Sequence, residues 1–260
     1  MIEIANRGPV AVMTLMHGKA NALDAELCND IIRCFGELKS SGAQAIVVTG
    51  QGKIFSAGVD LIQAVDGGVA YLREFLPLLS RAFETVFFYP KPVVAAVNGH
   101  AVAGGCVLAC TADRRLMARV PGRIGVTELL VGVPFPAIAL EIMRFVAAPQ
   151  HFEDIILAGA THAPEVARER GLLHDVVEAD VLLDRAVAAA EALAALSPAA
   201  FALTKVQSRK PVQDRLQRAG ASVDAAVREI WLSPDTLSRM REYISSTFKK
   251  GLDSRQKRDA

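Results

Sequence analysis

Short apolar runs and polar turns alternate along the first half of the chain. The runs at 2–5 and 10–16 flank Asn6-Arg7-Gly8-Pro9, and this turn chemistry predicts an opening hairpin. The runs AIVVT (45–49) and KPVVAAVNG (91–99) are largely apolar on both faces, as strands are in a covered sheet. Further strands are predicted at 113–118, 122–126 and 174–178.

Segments with helical spacing lie between these runs, and they make up most of the second half of the chain. Apolar residues recur at helical spacing over 27–38, with Asp24 before them as a possible cap. A longer helix is predicted from about Val69 to Phe88, interrupted by Pro77. From Phe135 onward the predicted helices are 135–147, 150–158, 164–170, 180–196, 198–208, 212–231 and 234–249. This order predicts an α/β fold with a C-terminal helical layer.

Composition narrows the classes of function. The 260 residues are 52% hydrophobic, which is enough to cover one sizeable core. A net charge of +1 gives no basic surface for a nucleic acid or a membrane, so an anionic partner must be bound locally. The opening MIEIANRGPVAVMTL is not typical of a signal or transit peptide, and no apolar run reaches membrane-spanning length. A cytoplasmic protein is therefore expected.

Cysteine and histidine spacing does not indicate a metal centre. The cysteines lie in apolar contexts without metal-ligand spacing, which predicts buried thiols at Cys28, Cys34, Cys106 and Cys110. Four histidines form no i, i+4 pair and no carboxylate cluster along the sequence, so no metal site is predicted at His17, His151, His162 or His174.

Two loops share one construction, in which a buried strand runs through a glycine turn into a helix. In QGKIFSAGVDL (51–61), Gly58 lets the backbone approach a ligand and Asp60 caps the next turn. In the second loop, Gly104 and Gly105 stand where a helix begins and its N–H groups are unpaired. If the Val59 and Gly104 amides donate to one point, they form a pocket for an oxygen that gains negative charge. Alternatively, the glycines serve only tight turns and close packing.

The order and separation of these motifs resemble the enoyl-CoA hydratase/isomerase family, the crotonase superfamily. The resemblance runs from KANALD (19–24) through FSAGVDL (55–61) and KPVVAAVNGHAVAGGCVLACTAD (91–113) to TELLVGVPFP (127–136). It implies a crotonase-like ββα spiral core over 1–197 and a helical trimerisation region over 198–260. It also implies a homotrimer or hexamer and an acyl-CoA substrate, with no cofactor besides the coenzyme A of that substrate.

The resemblance also assigns roles to residues of this chain. The thioester oxygen would lie between the amides of Val59 and Gly104, the two oxyanion positions. Substrate contacts are implied around the two loops, the helix that follows them and the C-terminal tail, at Lys19, Ala20, Ala57, Gly58, Asp60, Leu61, Gly105, Val107, Phe135 and Lys249.

The carboxylates beside this pocket indicate which reaction to expect. Hydratases of the family hold a water with two glutamates, and the position of one of them is Val107 here. The other position is Glu128, and Leu129, Leu130 and Val131 beside it predict an apolar surround and a raised pKa. One carboxylate can carry a proton from the α to the γ carbon, which favours isomerisation of a 3-enoyl-CoA to a 2-enoyl-CoA.

Three other interpretations stay open. The chain could be a hydratase, or another lyase or hydrolase of this fold that recruits an unidentified carboxylate. It could also be a non-catalytic acyl-CoA-binding protein, which Val107 favours and Glu128 opposes. Finally, Glu128 could be a structural ion-pair partner of Arg123 or Arg144.

Overall fold

Two β-sheets frame the structure, a computed structural model that describes residues 2–256, with side chains described to residue 247. The strands in chain order are β1 (Ile2–Arg7), β2 (Val10–Leu15), β3 (Ala45–Gly50), β4 (Ile54–Ser56), β5 (Val93–Val97), β6 (His100–Val102), β7 (Arg114–Ala118), β8 (Ile124–Gly125), β9 (Thr161–His162) and β10 (Asp175–Val177).

Helices connect and cover the sheets. They are α1 (Ala25–Ser40), α2 (Leu61–Phe87), α3 (Gly104–Cys110), α4 (Glu128–Val131), α5 (Ala137–Val146), α6 (Phe152–Leu157), α7 (Pro164–Glu169), α8 (Leu182–Ala194), α9 (Pro198–Arg215), α10 (Ala221–Trp231) and α11 (Pro234–Gln256). A 3₁₀ turn at Pro149–His151 precedes α6, and a π turn at Leu216–Gly220 joins α9 to α10.

The larger sheet has the strand order β1-β2-β3-β5-β7-β10, and the smaller has β4-β6-β8-β9. The β1–β2 hairpin is antiparallel, and every later pairing in the larger sheet is parallel. Each of β3, β5 and β7 is followed by a short strand of the smaller sheet and then a helix, so the chain repeats strand, strand, helix three times. This is the predicted ββα spiral, and the α/β class with a helical C-terminal region is confirmed.

Both faces of the larger sheet are buried at its interior strands, because alternate residues of β2, β3, β5 and β7 belong to different clusters. Ala11 and Met13 of β2 join the main core with α1, α2 and α3. Val10 and Val12 of the same strand pack with α8 on the opposite face. The continuous apolar runs predicted this two-sided burial correctly.

Several boundaries differ from the predicted ones. The long helix α2 begins at Leu61 rather than near Val69, with a break at Gly68, whose φ of 57° and ψ of −150° are not helical. α9 continues through Pro211, where the pattern predicted two helices. The strand predicted at 122–126 is only two residues long. The pattern missed the short elements β4, α4 and β9.

Within residues 2–256, no single helix is long and apolar enough to cross a membrane. One bent pair, Leu182–Ala194 with Pro198–Trp231, passes the length and composition criteria together, at an angle of 101°.

Candidate active site

The first glycine loop leaves the Val59 amide free. Residue Leu23 runs alongside this loop, donating its N–H to Gly58 O at 2.7 Å and accepting from Asp60 N at 3.0 Å. These bonds use the groups on either side of Val59, and within the described chain its own N–H has no protein acceptor. Asp60 caps α2 as predicted, because its side chain accepts from Gln63 N at 2.9 Å.

The second loop leaves the Gly104 amide free in a different way. Ala103 has a φ of 51° and a ψ of −128°, a conformation that L-residues rarely adopt. Its carbonyl accepts from Cys106 N and Val107 N at 2.8 and 3.1 Å, which starts α3. Gly104, the first residue of α3, has no acceptor for its N–H among the described residues. The strained Ala103 therefore sets the direction of the free amide.

The two loops touch at their glycines. Gly58 has a φ of +85°, and a Cβ built on it would lie 2.7 Å from Val102 O and 3.0 Å from Gly104 N. No side chain fits in that space, so glycine is required for both conformation and contact. Val59 and Gly104 line the same small cavity of about 90 Å³, hereafter the catalytic cavity. The two residues predicted to donate these amides therefore line one cavity.

Glu128 lines this cavity from the first turn of α4. The residue is 8% exposed, and its Oε2 is buried without a hydrogen-bond partner. Burial raises the pKa of Glu128 to about 7, although the backbone N–H groups of Glu128 and Thr127 partly oppose this by stabilising the carboxylate. A carboxyl group with this pKa exchanges protons readily near neutral pH.

The predicted pKa shift is confirmed, but its source differs from the predicted one. Leu129 and Leu130 are 43% and 58% exposed, and neither lines the cavity. The apolar surround comes instead from Val131 and Val133 and from residues distant in sequence, including Phe83 and Val107. Tertiary packing therefore creates the environment that local sequence was expected to supply.

A structural ion pair does not account for Glu128. Arg123 donates to Thr161, and Arg144 pairs with Glu141 at 3.4 Å and lies over the ring of Phe152. No salt bridge involves Glu128 in the described part of the chain. Glu128 lines the same cavity as Val59 and Gly104, the two residues with free amides, an arrangement suited to proton transfer beside an oxyanion.

The comparisons with known proteins agree with this geometry. A profile described as enoyl-CoA hydratase/isomerase matches residues 5–235, which is most of the chain. This protein belongs to the enoyl-CoA hydratase/isomerase family.

Relatives with different named activities have similar sequence identities to this chain. A putative enoyl-CoA hydratase of Thermus thermophilus is 35% identical over 211 residues, covering 79% of this chain and 82% of that protein. A mitochondrial Δ(3,5)-Δ(2,4)-dienoyl-CoA isomerase of Pongo abelii is 30% identical, covering 72% and 61%. The crystal structure of human mitochondrial Δ3-Δ2-enoyl-CoA isomerase superposes with a TM-score of 0.91 and covers 96% and 98%. At 22% identity, it shows the shared fold alone.

Val107 is the residue at which the sequence resemblance places the second glutamate of a hydratase. It lies on α3 three residues after Gly104, is 1% exposed and lines the catalytic cavity. Among the described residues that line the cavity, Glu128 is the only carboxylic acid. Most of the other residues that line the cavity are apolar.

The other predicted substrate-binding residues divide into three groups. Leu61 and Ala57 line the cavity, and Ala57 donates its N–H to Ala20 O at 3.0 Å. Lys19 is exposed beside this pair. Phe135 is buried in the core, and Gly105 lies against the backbone of Ser56. Neither residue lines the cavity, contrary to the prediction. The Lys249 side chain lies outside the described residues.

Sequence reasoning missed two cavity residues from the C-terminal helices. Trp231, at the end of α10, and Tyr243, on α11, both line the catalytic cavity. Both residues are far along the chain from the glycine loops, so no local motif connects them with the site. Their helical spacing is that of ordinary core residues. The C-terminal helices thus cover the cavity of their own chain, while the expected trimerisation through residues 198–260 stays a prediction.

The cysteines and one histidine complete the comparison with the predicted chemistry. All four cysteines are buried free thiols, as predicted, and a hydrogen bond with Cys110 together with burial raises the pKa of Cys106.

The prediction that no histidine meets a carboxylate cluster was wrong for His17. Its Nε2 lies 2.6 Å from Asp24 Oδ2, and Glu26 is close enough for the three to reach one ion. Spacing along the sequence does not reveal this contact, because the turn at Asn21 folds His17 back onto α1.

Proposed function

We propose that this protein isomerises 3-enoyl-CoA thioesters to 2-enoyl-CoA thioesters. The observation that carries the proposal is a single buried carboxyl group, Glu128, in the cavity that contains the free amides of Val59 and Gly104. The proposed substrate is an acyl-CoA, in keeping with membership of the family.

The proposed reaction has two proton transfers. The thioester oxygen accepts hydrogen bonds from Val59 N–H and Gly104 N–H, which stabilise negative charge on that oxygen. The Glu128 carboxylate removes a proton from the α carbon, and the electron pair of the broken C–H bond delocalises into a dienolate. Glu128 then returns the same proton to the γ carbon, and the double bond moves into conjugation with the carbonyl. No water is consumed and no further cofactor is needed.

Val107 favours this reaction over hydration. A hydratase of the family needs a second carboxylate to hold the attacking water, and a valine offers that water no hydrogen bond. The raised pKa of Glu128 also suits a group that must accept and release a proton in one turnover. A cytoplasmic trimer or hexamer remains part of the prediction.

A substrate comparison tests the reaction. Purified protein is incubated in H₂¹⁸O separately with a 3-enoyl-CoA and with a 2-enoyl-CoA, and the products are separated from their isomers by liquid chromatography before their masses are measured. We expect conversion of the 3-enoyl-CoA without a mass increase and no incorporation of ¹⁸O from the 2-enoyl-CoA. Rapid hydration of the 2-enoyl-CoA would establish a hydratase, and tight binding without any conversion would establish a binding protein.

The variant Glu128→Gln tests the proton carrier. Loss of the carboxylate should lower kcat by about 10² to 10⁴-fold, while binding of a saturated acyl-CoA persists. Glu153→Gln, at an exposed position of α6, is the matched control and should retain full activity. Isomerase activity undiminished in Glu128→Gln would remove this residue from the mechanism.

A further inference from the structure

A second space lies behind the catalytic cavity and is lined by the same helices. This outer cleft, of about 320 Å³, is lined on α2 by Leu76, Ser80 and Glu84 and on α10 by Asp224 and Val227. Glu84 is exposed, so the cleft opens to solvent. Two neighbouring spaces, one enclosing the reacting groups and one open, raise the question of what separates them.

Different residues of α2 and α10 line the two spaces. On α2, Leu79 lines the cavity, whereas Ser80, the next residue along the helix, lines the cleft. On α10, Trp231 lines the cavity and Val227, one turn earlier, lines the cleft. Pro136, just before α5, lines both spaces. The two spaces are therefore neighbours at Pro136, with Leu79 and Trp231 on the side of the cavity and Ser80 and Val227 on the side of the cleft.

Trp231 is the largest side chain that lines the catalytic cavity, and its ring is held in place. The residue is 2% exposed, and its Nε1 donates to Pro134 O at 3.0 Å. A buried indole whose N–H is satisfied in this way is held in one orientation. The ring is therefore a fixed end wall.

The size of the cavity sets the length of chain that fits. Its volume of about 90 Å³ is smaller than the roughly 150 Å³ cavity that holds one benzene molecule in an engineered apolar core. The space in front of Trp231 thus accommodates a short acyl group, and a long one has no way past the ring.

We propose that Trp231 ends the acyl pocket and restricts the substrate to short-chain acyl-CoA thioesters. This assignment rests on the proposed isomerase function, but it makes a separate prediction about binding. Replacing Trp231 with a smaller residue enlarges the cavity on the side of α10, where Val227 lines the neighbouring cleft, and admits a longer chain.

Two measurements test the role of Trp231. The first is kcat/KM for 3-butenoyl-CoA and 3-decenoyl-CoA, and the second is the calorimetric Kd of butyryl-CoA and decanoyl-CoA, which are not isomerised. The wild type should favour the short chain in both by at least about tenfold. Trp231→Leu should reduce that preference by at least about tenfold, and Trp231→Phe, which keeps an aromatic core residue, should give an intermediate value.

Phe35→Leu is the matched control, because Phe35 is an equally buried aromatic on α1 that lines neither space. It should leave the chain-length preference unchanged. Equal Kd values for butyryl-CoA and decanoyl-CoA in the wild type, or an unchanged preference in both Trp231 variants, would overturn the role of Trp231. A wild type that binds short chains selectively but isomerises none would instead overturn the proposed reaction and leave the pocket assignment intact.

Discussion

The carboxyl group of Glu128 owes its chemistry to burial rather than to a charged neighbour. Desolvation is the largest cause of its raised pKa, and no ion pair in the described chain offsets it. An ionised carboxylate in this position therefore lowers the free energy of unfolding. The chain keeps this unfavourable group at a site where proton exchange is useful. The cost should be measurable as a pH dependence of stability.

Glu128→Gln should stabilise the protein at alkaline pH. The native pKa of about 7 exceeds the ordinary value of 4.5, so the native state binds more protons than the unfolded state between these pH values. The stabilising contribution of the protonated group is complete below pH 4.5 and is lost as pH rises through 7. The free energy of unfolding of the wild type, relative to Glu128→Gln, should fall by about 2 to 3 kcal/mol from pH 5 to pH 8.

Urea unfolding at both pH values measures this difference. Glu153→Gln, which changes an exposed carboxylate, should show no such trend. In the same pH range, kcat/KM of the wild type should rise with pH through about 7, because the proposed reaction begins with ionised Glu128. A stability difference that does not vary with pH would mean that Glu128 is solvated in solution.

At the scale of single elements, the sequence predicts those whose apolar pattern is continuous. β3 and β5 are buried on both faces, and α1 carries one apolar stripe and a working Asp24 cap, so each of them was predicted correctly. The pattern failed at α9, because a proline was expected to end a helix. Pro211 is tolerated there since both it and Gln207, whose carbonyl it frees, lie on the exposed side.

In the candidate site, too, the sequence predicted only the residues that carry a local signal. Val59, Gly104 and Glu128 carry local signals, namely a glycine turn or a recognisable motif. Trp231 and Tyr243 carry none, because their place in the cavity depends on how α10 and α11 pack against α2 and α4. The strained backbone of Ala103 was equally hidden, since an alanine gives no sign of an unusual φ.

The placement of α3 provides a test at this scale. A Cβ on Gly105 would overlap the carbonyl oxygen of Ser56, a backbone atom that cannot move aside easily. Gly105→Ala should therefore displace α3 from β4, lower stability by about 1 to 3 kcal/mol, and reduce kcat at least tenfold by moving the Gly104 amide.

Gly36→Ala is the matched control for this substitution. Gly36 lies inside α1, and a Cβ there would meet nothing within 4 Å. Alanine at this position should raise stability by up to about 1 kcal/mol and leave kcat unchanged. If Gly105→Ala behaved like Gly36→Ala in thermal unfolding and activity assays, close packing of α3 would not position the amide.

At the scale of the whole molecule, one buried cluster joins the helical layer to the larger sheet. Asp113, just before β7, accepts from Lys205 Nζ at 2.7 Å and from Arg209 Nη2 at 2.8 Å, both on α9. It also accepts from Val93 N of β5 at 2.8 Å. Burial lowers the pKa of Lys205 to about 8 even though Asp113 opposes the shift, so both cations depend on this one carboxylate.

Asp113→Asn should therefore destabilise the fold by about 3 to 5 kcal/mol, because it leaves two cations buried without a counter-charge. Asp214→Asn removes a carboxylate from an exposed i, i+4 pair with Lys210 and should cost no more than about 1 kcal/mol. Since α10 and α11 follow α9 and carry Trp231 and Tyr243 to the cavity, loosening α9 should also raise KM for the acyl-CoA substrate. Equal urea midpoints for the two variants would show that hydrophobic packing, and not the Asp113 cluster, holds the C-terminal helices on the core.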